Sequence, residues 1–180
     1  MEALECIKTR RSVRKFTDQP VTREDLEQVV AAAAYAPSWK NTQTTRYIVV
    51  TDKEKKQHLA DDCMMDFAFN QKTASGAPAM VVLTMITGRS GYERDGSFST
   101  SQGTHWQSFD AGVAAQTFCL AAHALGLGTV IMGVFDEDKV KQVVTIPEGQ
   151  KVAALIAIGH PAEEPMCPKR KDVETLLTLD

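Results

Sequence analysis

Three arginines flank a hydroxyl close to the start of the chain, as Arg10, Arg11, Ser12 and Arg14. Guanidinium forks match the oxygens of phosphate and carboxylate better than ammonium groups do. A second basic cluster, Lys169-Arg170-Lys171, lies near the other end. The protein as a whole is mildly acidic, with a formal net charge of -3. Cations gathered at two places in an acidic chain point to a specific anion, not to general attraction to a polyanion. The expected ligand is a phosphorylated small molecule. No basic stripe runs along the sequence, so nucleic acid is not an expected partner.

Other reactive constellations are missing. There is no G-x-S-x-G, and no cysteine has a histidine near it in sequence. His58, His105, His123 and His160 are scattered without metal-ligand spacing. The carboxylate pairs Asp61-Asp62 and Glu163-Glu164 sit in hydrophilic stretches and read as solvated faces. Cys6, Cys63, Cys119 and Cys167 form no C-x-x-C pair, which predicts reduced, mostly structural thiols in a cytoplasmic protein. No G-x-G-x-x-G follows a strand, so a Rossmann dinucleotide site is unsupported. The side chains offer little chemistry of their own, and a bound cofactor must supply it.

The elements that hold these residues follow from periodicity and punctuation. Leu4 and Ile7 give a short helical face ending at the arginines. Thr22-x-x-Asp25 is a capping-box variant ahead of Leu26, Val29, Val30, Ala33 and Ala34, and this helix must stop before Pro37. Arg46–Thr51, Ala79–Ile86, Thr129–Met132 and Lys151–Gly159 read as strands. Helices are predicted over 53–62, over 108–125 with Gly126 as a C-terminal stop, and over 138–144 behind Asp136. The polar stretch from Thr87 to Gly103 reads as a surface excursion. These elements predict an α+β fold, a sheet with helices around it and a long C-terminal tail. With 180 residues, 43% of them hydrophobic, and no linker or repeat, one domain over 1–180 is expected. No stretch has signal-peptide or bilayer-spanning character, so no membrane partner is expected.

Four segments together resemble one family. RRSVRKF (Arg10 to Phe16), APSWKNTQ (Ala36 to Gln43), AAHALGLGT (Ala121 to Thr129) and IAIGHPAEEP (Ile156 to Pro165) are similar to motifs of the nitroreductase family of FMN-dependent oxidoreductases. They occur in the family's order and cover nearly the whole chain. The short length resembles the family's compact branch. The resemblance implies a central mixed β-sheet surrounded by helices, in an intertwined homodimer with an extended C-terminal tail.

It also implies roles for individual residues. Arg10, Ser12 and Arg14 match an Arg-x-Ser-x-Arg/Lys element that holds the flavin, with Arg10 and Ser12 on phosphate or ribityl oxygens. Arg14 or Arg11 is expected near the N1-C2=O edge of the ring, where positive charge favours hydride acceptance. Pro37, Ser38 and Asn41 match a turn that reaches the flavin from the partner subunit. Trp39, within that turn, is expected either over a substrate or on the dimer seam. Thr44-Thr45 stands where family members often have Pro-Trp, so pocket shape does not carry over. Ile131, Met132 and Gly133 match the segment that lies against the ring, with a main-chain N–H toward N5. Asn70 matches a pyrimidine-edge Asn of larger relatives, although Thr73 replaces their lysine and Lys72 falls one place off. Lys169 and Arg170 match the basic residues on the FMN phosphate.

The implied activity is reduction of a small-molecule electron acceptor (a nitroaromatic, a quinone or an activated alkene) by NAD(P)H in ping-pong turnover, with no side chain needed as acid or base. Two alternatives stay open at this point: other flavin chemistry on the same fold, such as dehalogenation or flavin breakdown, and flavin binding without turnover.

Overall fold

The computed structural model describes all residues 1–180. In chain order the elements are α1 (Ala3–Thr9), α2 (Arg23–Ala33), β1 (Thr45–Val50), α3 (Lys53–Cys63), α4 (Ala68–Gly76), β2 (Ala79–Ile86), α5 (His105–Ala124), β3 (Gly128–Met132), α6 (Glu137–Val143), β4 (Gln150–Gly159) and α7 (Val173–Leu176). The strands form one sheet in the order β1-β2-β4-β3, with every neighbouring pair antiparallel. A single parallel bridge, Ser12 to Thr129, adds the N-terminal segment to the β3 edge. The α+β architecture expected from the sequence is therefore the one observed.

The apolar runs of β2 and β4 are continuous because both faces of the sheet are covered. Met80, Val82, Leu155 and Ala157 point into one core with Leu59, Met64, Ala74 and Val140 of α3, α4 and α6 and the segments joining them. The alternate residues Val81, Leu83, Ile156 and Ile158 face a second core with Val29 of α2 and Phe118 and Ala122 of α5. A register shift after Leu83 skips Ala153 and turns Val152 back to the first face. Long α5 is apolar on most sides because it lies against α2, α1 and the sheet. No helix is long and apolar enough to cross a membrane.

Local signals explain most boundaries. Thr22 and Asp25 form the reciprocal capping box, with Asp25 N–H donating to Thr22 Oγ1 at 3.0 Å and Thr22 N–H to Asp25 Oδ2 at 3.1 Å. Asp136 Oδ1 accepts the N–H groups of Asp138 and Lys139 to start α6. Past α5, Gly126 adopts φ +80°, so that its N–H reaches His123 O and Leu127 N–H reaches Ala122 O. This is the paired closure that requires a left-handed residue at the glycine. The structure corrects the sequence expectation in two places. Helix α4 was not foreseen, and α5 begins at His105 instead of Ser108. The excursion of 87–103 is tied down: Gly88 N–H donates to Gln107 Oε1 at 2.8 Å, and Ser90 is fully buried.

Candidate functional site

The segment carrying the arginines is fixed against the sheet by its backbone. Val13 N–H donates to Thr129 O at 3.0 Å, Thr17 N–H to His160 O at 2.9 Å, and Ala162 N–H to Lys15 O at 2.9 Å. Residues 12–17 thus run between the start of β3 and the end of β4. Gly128 makes this approach possible, because a Cβ there would lie 2.7 Å from Val13 Cβ. The N-terminal segment meets the turn after β4 here. A groove of about 1000 Å³ is lined by Arg10, Arg11, His123, Gly128, Thr129 and the 161–165 turn, and reaches Cys167.

The basic cluster is divided by its surroundings. Arg10 Nε is buried and makes no hydrogen bond to any protein group. A desolvated guanidinium N–H without an acceptor is costly, and an anion relieves that cost. Arg11 differs in being engaged by the backbone. Its Nη1 donates to Lys8 O at 2.7 Å and Arg10 O at 2.8 Å, capping the C-terminus of α1. Arg14 is exposed and stacks over Phe69 of α4, 5.2 Å from the ring centroid. That contact brings α4, with polar Asn70 buried on it, to the arginine segment. Thr73 is buried on the same helix and its hydroxyl donates to Phe69 O, whereas Lys72 is exposed.

Strand β3 is the outer edge of the sheet. Because strand backbones alternate, Ile131 and Gly133 share the outward register of Thr129. Ile131 is 44% exposed although it is apolar, Gly133 is exposed, and Met132 is buried beneath them. Lys169 and Arg170 are exposed and pair with no side chain.

The 37–43 turn lies elsewhere. Lys40, Asn41 and Gln43 all have positive φ, at 45°, 55° and 48°. Ser38 Oγ accepts Gln43 N–H at 2.9 Å, and Asn41 Oδ1 accepts from Gln43 Nε2 at 3.1 Å. Pro37 is exposed, four residues beyond the end of α2. Trp39 packs on Trp106 with centroids 4.8 Å apart. The residue that holds this turn, Asp110, escaped the sequence reading. It is 3% exposed on α5 and accepts Trp39 N–H and Ser90 Oγ–H. Its one sequence signal is a lone acid within an apolar, Ala-rich helix. Asp110 and His123 stand near opposite ends of α5, roughly 20 Å apart at ~1.5 Å per residue. Within one chain the turn and the arginine groove are therefore well separated.

The titration of several groups is set by this packing. Burial, then the guanidiniums of Arg10 and Arg11, hold His123 below its ordinary value. Burial pushes Cys63 up to about 11 and raises Cys119, against a smaller lowering from Thr129 and Arg10.

A sheet clad in helices, with an arginine segment on its open edge, defines a class that comparison with known proteins identifies. Residues 7–160 match the model of the Nitroreductase family, and the chain belongs to that family. It is 31% identical over 170 residues to the NADPH-flavin oxidoreductase of Vibrio harveyi, covering 90% of this chain and 67% of that one. A protein from Desulfovibrio desulfuricans solved in complex with FMN superposes with a TM-score of 0.75 at 28% identity, covering 98% and 95% of the two chains. The Vibrio harveyi NADPH:FMN oxidoreductase complexed with NAD+ gives 0.80 at 27% identity, covering 98% and 76%.

Proposed function

We propose that the protein is an FMN-dependent NAD(P)H oxidoreductase that works as a homodimer, its 180 residues forming one FMN-binding domain. The observation that carries this reading is Arg10, whose buried Nε has no acceptor within the chain, in a groove large enough for a phosphate and its ribityl chain. Relatives named for flavin and NAD(P)H chemistry support the cofactor and the reductant.

Bound FMN supplies the hydride-accepting and electron-donating chemistry; the protein's side chains bind and orient. Arg10 and Ser12 hold the phosphate from one side, and Lys169 and Arg170, two and three residues past groove-lining Cys167, close it from the other. Arg14 and Asn70 serve the pyrimidine edge, a reading supported by the Arg14–Phe69 stack that joins their two segments. Ile131, Met132 and Gly133 offer the open strand edge to the ring. Arg11 contributes charge, while its Nη1 keeps the end of α1 in place.

Pro37, Ser38 and Asn41 act on the partner's cofactor. Support comes from the distance along α5 and from unpartnered apolar surface. Leu4 and Ile7 on α1, Tyr35 after α2, and Val173, Leu176, Leu177 and Leu179 in the tail are all exposed in a single chain. A second subunit covers such surface. NAD(P)H and the acceptor, a nitroaromatic or quinone, use one face of the site in turn, in ping-pong fashion.

Titration with FMN tests the site. The Arg10→Ala/Arg170→Ala double variant is expected to lose affinity by about 100-fold or more, at roughly 1.5–3 kcal/mol per charge-assisted bond. Wild-type affinity in a folded double variant overturns the phosphate assignment. A monomer that retains FMN in size-exclusion chromatography overturns the shared site.

A further inference from the structure

The arginine groove contains one further side chain with a titratable nitrogen and no family role in the reading above, His123. It stands in the last turn of α5. Thr9 Oγ1 donates its hydrogen to Glu5 O at 2.7 Å and sits 2.9 Å from His123 Nε2. With Nε2 engaged by the Thr9 hydroxyl, Nδ1 is the ring nitrogen left for a ligand. That atom makes no hydrogen bond to the protein, and the ring lines the same groove as Arg10 and Arg11.

We propose that His123 is a further, proton-dependent ligand of the cofactor phosphate, taking up a proton as the dianion enters the groove. This rests on the FMN reading given above.

The charges around the ring set the direction. Arg10, Arg11 and Met1 line the groove from the N-terminal side, and the two guanidiniums oppose a charged imidazole. Glu163 and Glu164 line it from the turn after β4; Glu163 is paired with Lys15 at 3.0 Å, and Glu164 is exposed. Cys167 adds a thiol. With the groove empty of anion, desolvation first and the two guanidiniums second keep His123 neutral near pH 7. A phosphate dianion cancels the guanidinium field and offers an acceptor to Nδ1–H, so the bound state favours the charged ring. The last turn of a helix favours a cationic histidine as well. Binding then takes up a proton, and affinity falls as pH rises between the free and the bound ionisation of His123.

The test is an NMR titration of the histidine ring protons of the whole protein, free, with FMN, and with riboflavin, which lacks the phosphate. His123→Asn identifies the resonance. FMN is expected to raise the midpoint of His123 by about one to three pH units, and riboflavin to leave it in place. In parallel, the FMN dissociation constant is followed by flavin fluorescence between about pH 6 and pH 8. Wild type is expected to weaken by up to about tenfold per pH unit where His123 titrates. His123→Asn should lose that slope while still binding FMN through Arg10. The phosphate's own second ionisation near ~6 acts on both proteins alike and cancels in their difference.

A His123 midpoint that FMN does not move, or equal slopes in the two proteins, overturns the proposal and leaves the FMN reading intact. Failure of wild type to bind FMN at any pH overturns both. If His123→Asn does not fold, the FMN-against-riboflavin comparison on the wild-type chain decides alone, since riboflavin shifting the midpoint equally would remove the phosphate as the cause.

Discussion

The carboxylate of Asp110 accepts the backbone N–H of Trp39 with both oxygens, at 3.1 and 3.0 Å, while Ser90 Oγ donates to Oδ2 at 2.5 Å. A buried acid is thus satisfied entirely by a strained turn and by the excursion beyond β2. Thr42 Oγ1, 3.0 Å from Ser90 Oγ, extends the same network. The carboxylate couples the 37–43 turn, which holds only a short 3-10 segment at Trp39–Asn41, to the excursion beyond β2. It fixes the turn from which Ser38 and Asn41 are proposed to reach the partner's cofactor.

Replacing Asp110 with Ala leaves the Trp39 N–H unsatisfied within the protein and the Ser90 hydroxyl with only Thr42 and Thr44 as partners. The loss is expected to be about 1–3 kcal/mol, the cost of one buried group left without a partner. Chemical denaturation measures it. Hydrogen exchange is expected to rise selectively at residues 38–44 and 88–93 in the folded variant. Unchanged exchange there would mean that the turn is held by something other than the carboxylate.

Gly128→Ala drives a Cβ to within 2.7 Å of Val13 Cβ and 2.8 Å of Val13 Cγ2. The arginine segment must move off the β3 edge or the strand must bend, at about 1–3 kcal/mol. The variant is expected to weaken FMN binding by roughly tenfold or more through displacement of Arg10 and Ser12, a shift of about 1.4 kcal/mol. Isothermal titration checks this, and an unaltered dissociation constant would contradict the placement of the phosphate beside Gly128.

Thiol reactivity separates the cysteines. Cys6, Cys63 and Cys119 are buried and Cys167 is exposed. Desolvation pushes Cys63 up to about 11 and raises Cys119, so neither offers thiolate near pH 8. A thiol-reactive chromophore is expected to label Cys167 alone in the folded protein and all four after denaturation. In the FMN-loaded protein Cys167 is expected to be slower to react, because it lines the groove.

The capping box gives a pH dependence with a definite sign. Hydrogen bonds from the Thr22 side chain and backbone hold the Asp25 carboxyl below the usual aspartate range. A carboxylate lowered on folding contributes stability above its unfolded pKa, and that contribution fades as pH falls through the folded value. Thr22→Ala is expected to cost about 1 kcal/mol near neutrality. Thermal melts should show its gap from wild type closing on acidification below about pH 4.

The strands and the long helix were legible because the residues that form them carry their own punctuation. Ala79–Ile86 is bounded by Pro78, Asp136 is followed by free N–H groups, and Gly126 stops α5. Helix α4 was not legible. Its N-cap Phe67 makes no side-chain cap, and Met65 and Asp66 before it adopt positive φ that their residue types do not announce. Within the site, residue type alone does not separate Arg10 from Arg11. What distinguishes them is tertiary: the end of α1 engages Arg11, while packing buries Arg10 Nε with no acceptor. Asp110 was hidden because its partners, Trp39 and Ser90, lie far from it in sequence and meet it only after α5 docks.

On the proposed function, this chain holds FMN and NAD(P)H reduces it there. The most direct measurement mixes FMN-loaded wild-type protein with NADH or NADPH, anaerobically, and follows the flavin absorbance band in a stopped-flow instrument. Rapid bleaching by at least one nucleotide, slowed or lost in Arg10→Ala/Arg170→Ala at limiting FMN, is the predicted result. A protein that binds no flavin, or a bound flavin that neither nucleotide bleaches, would contradict the account.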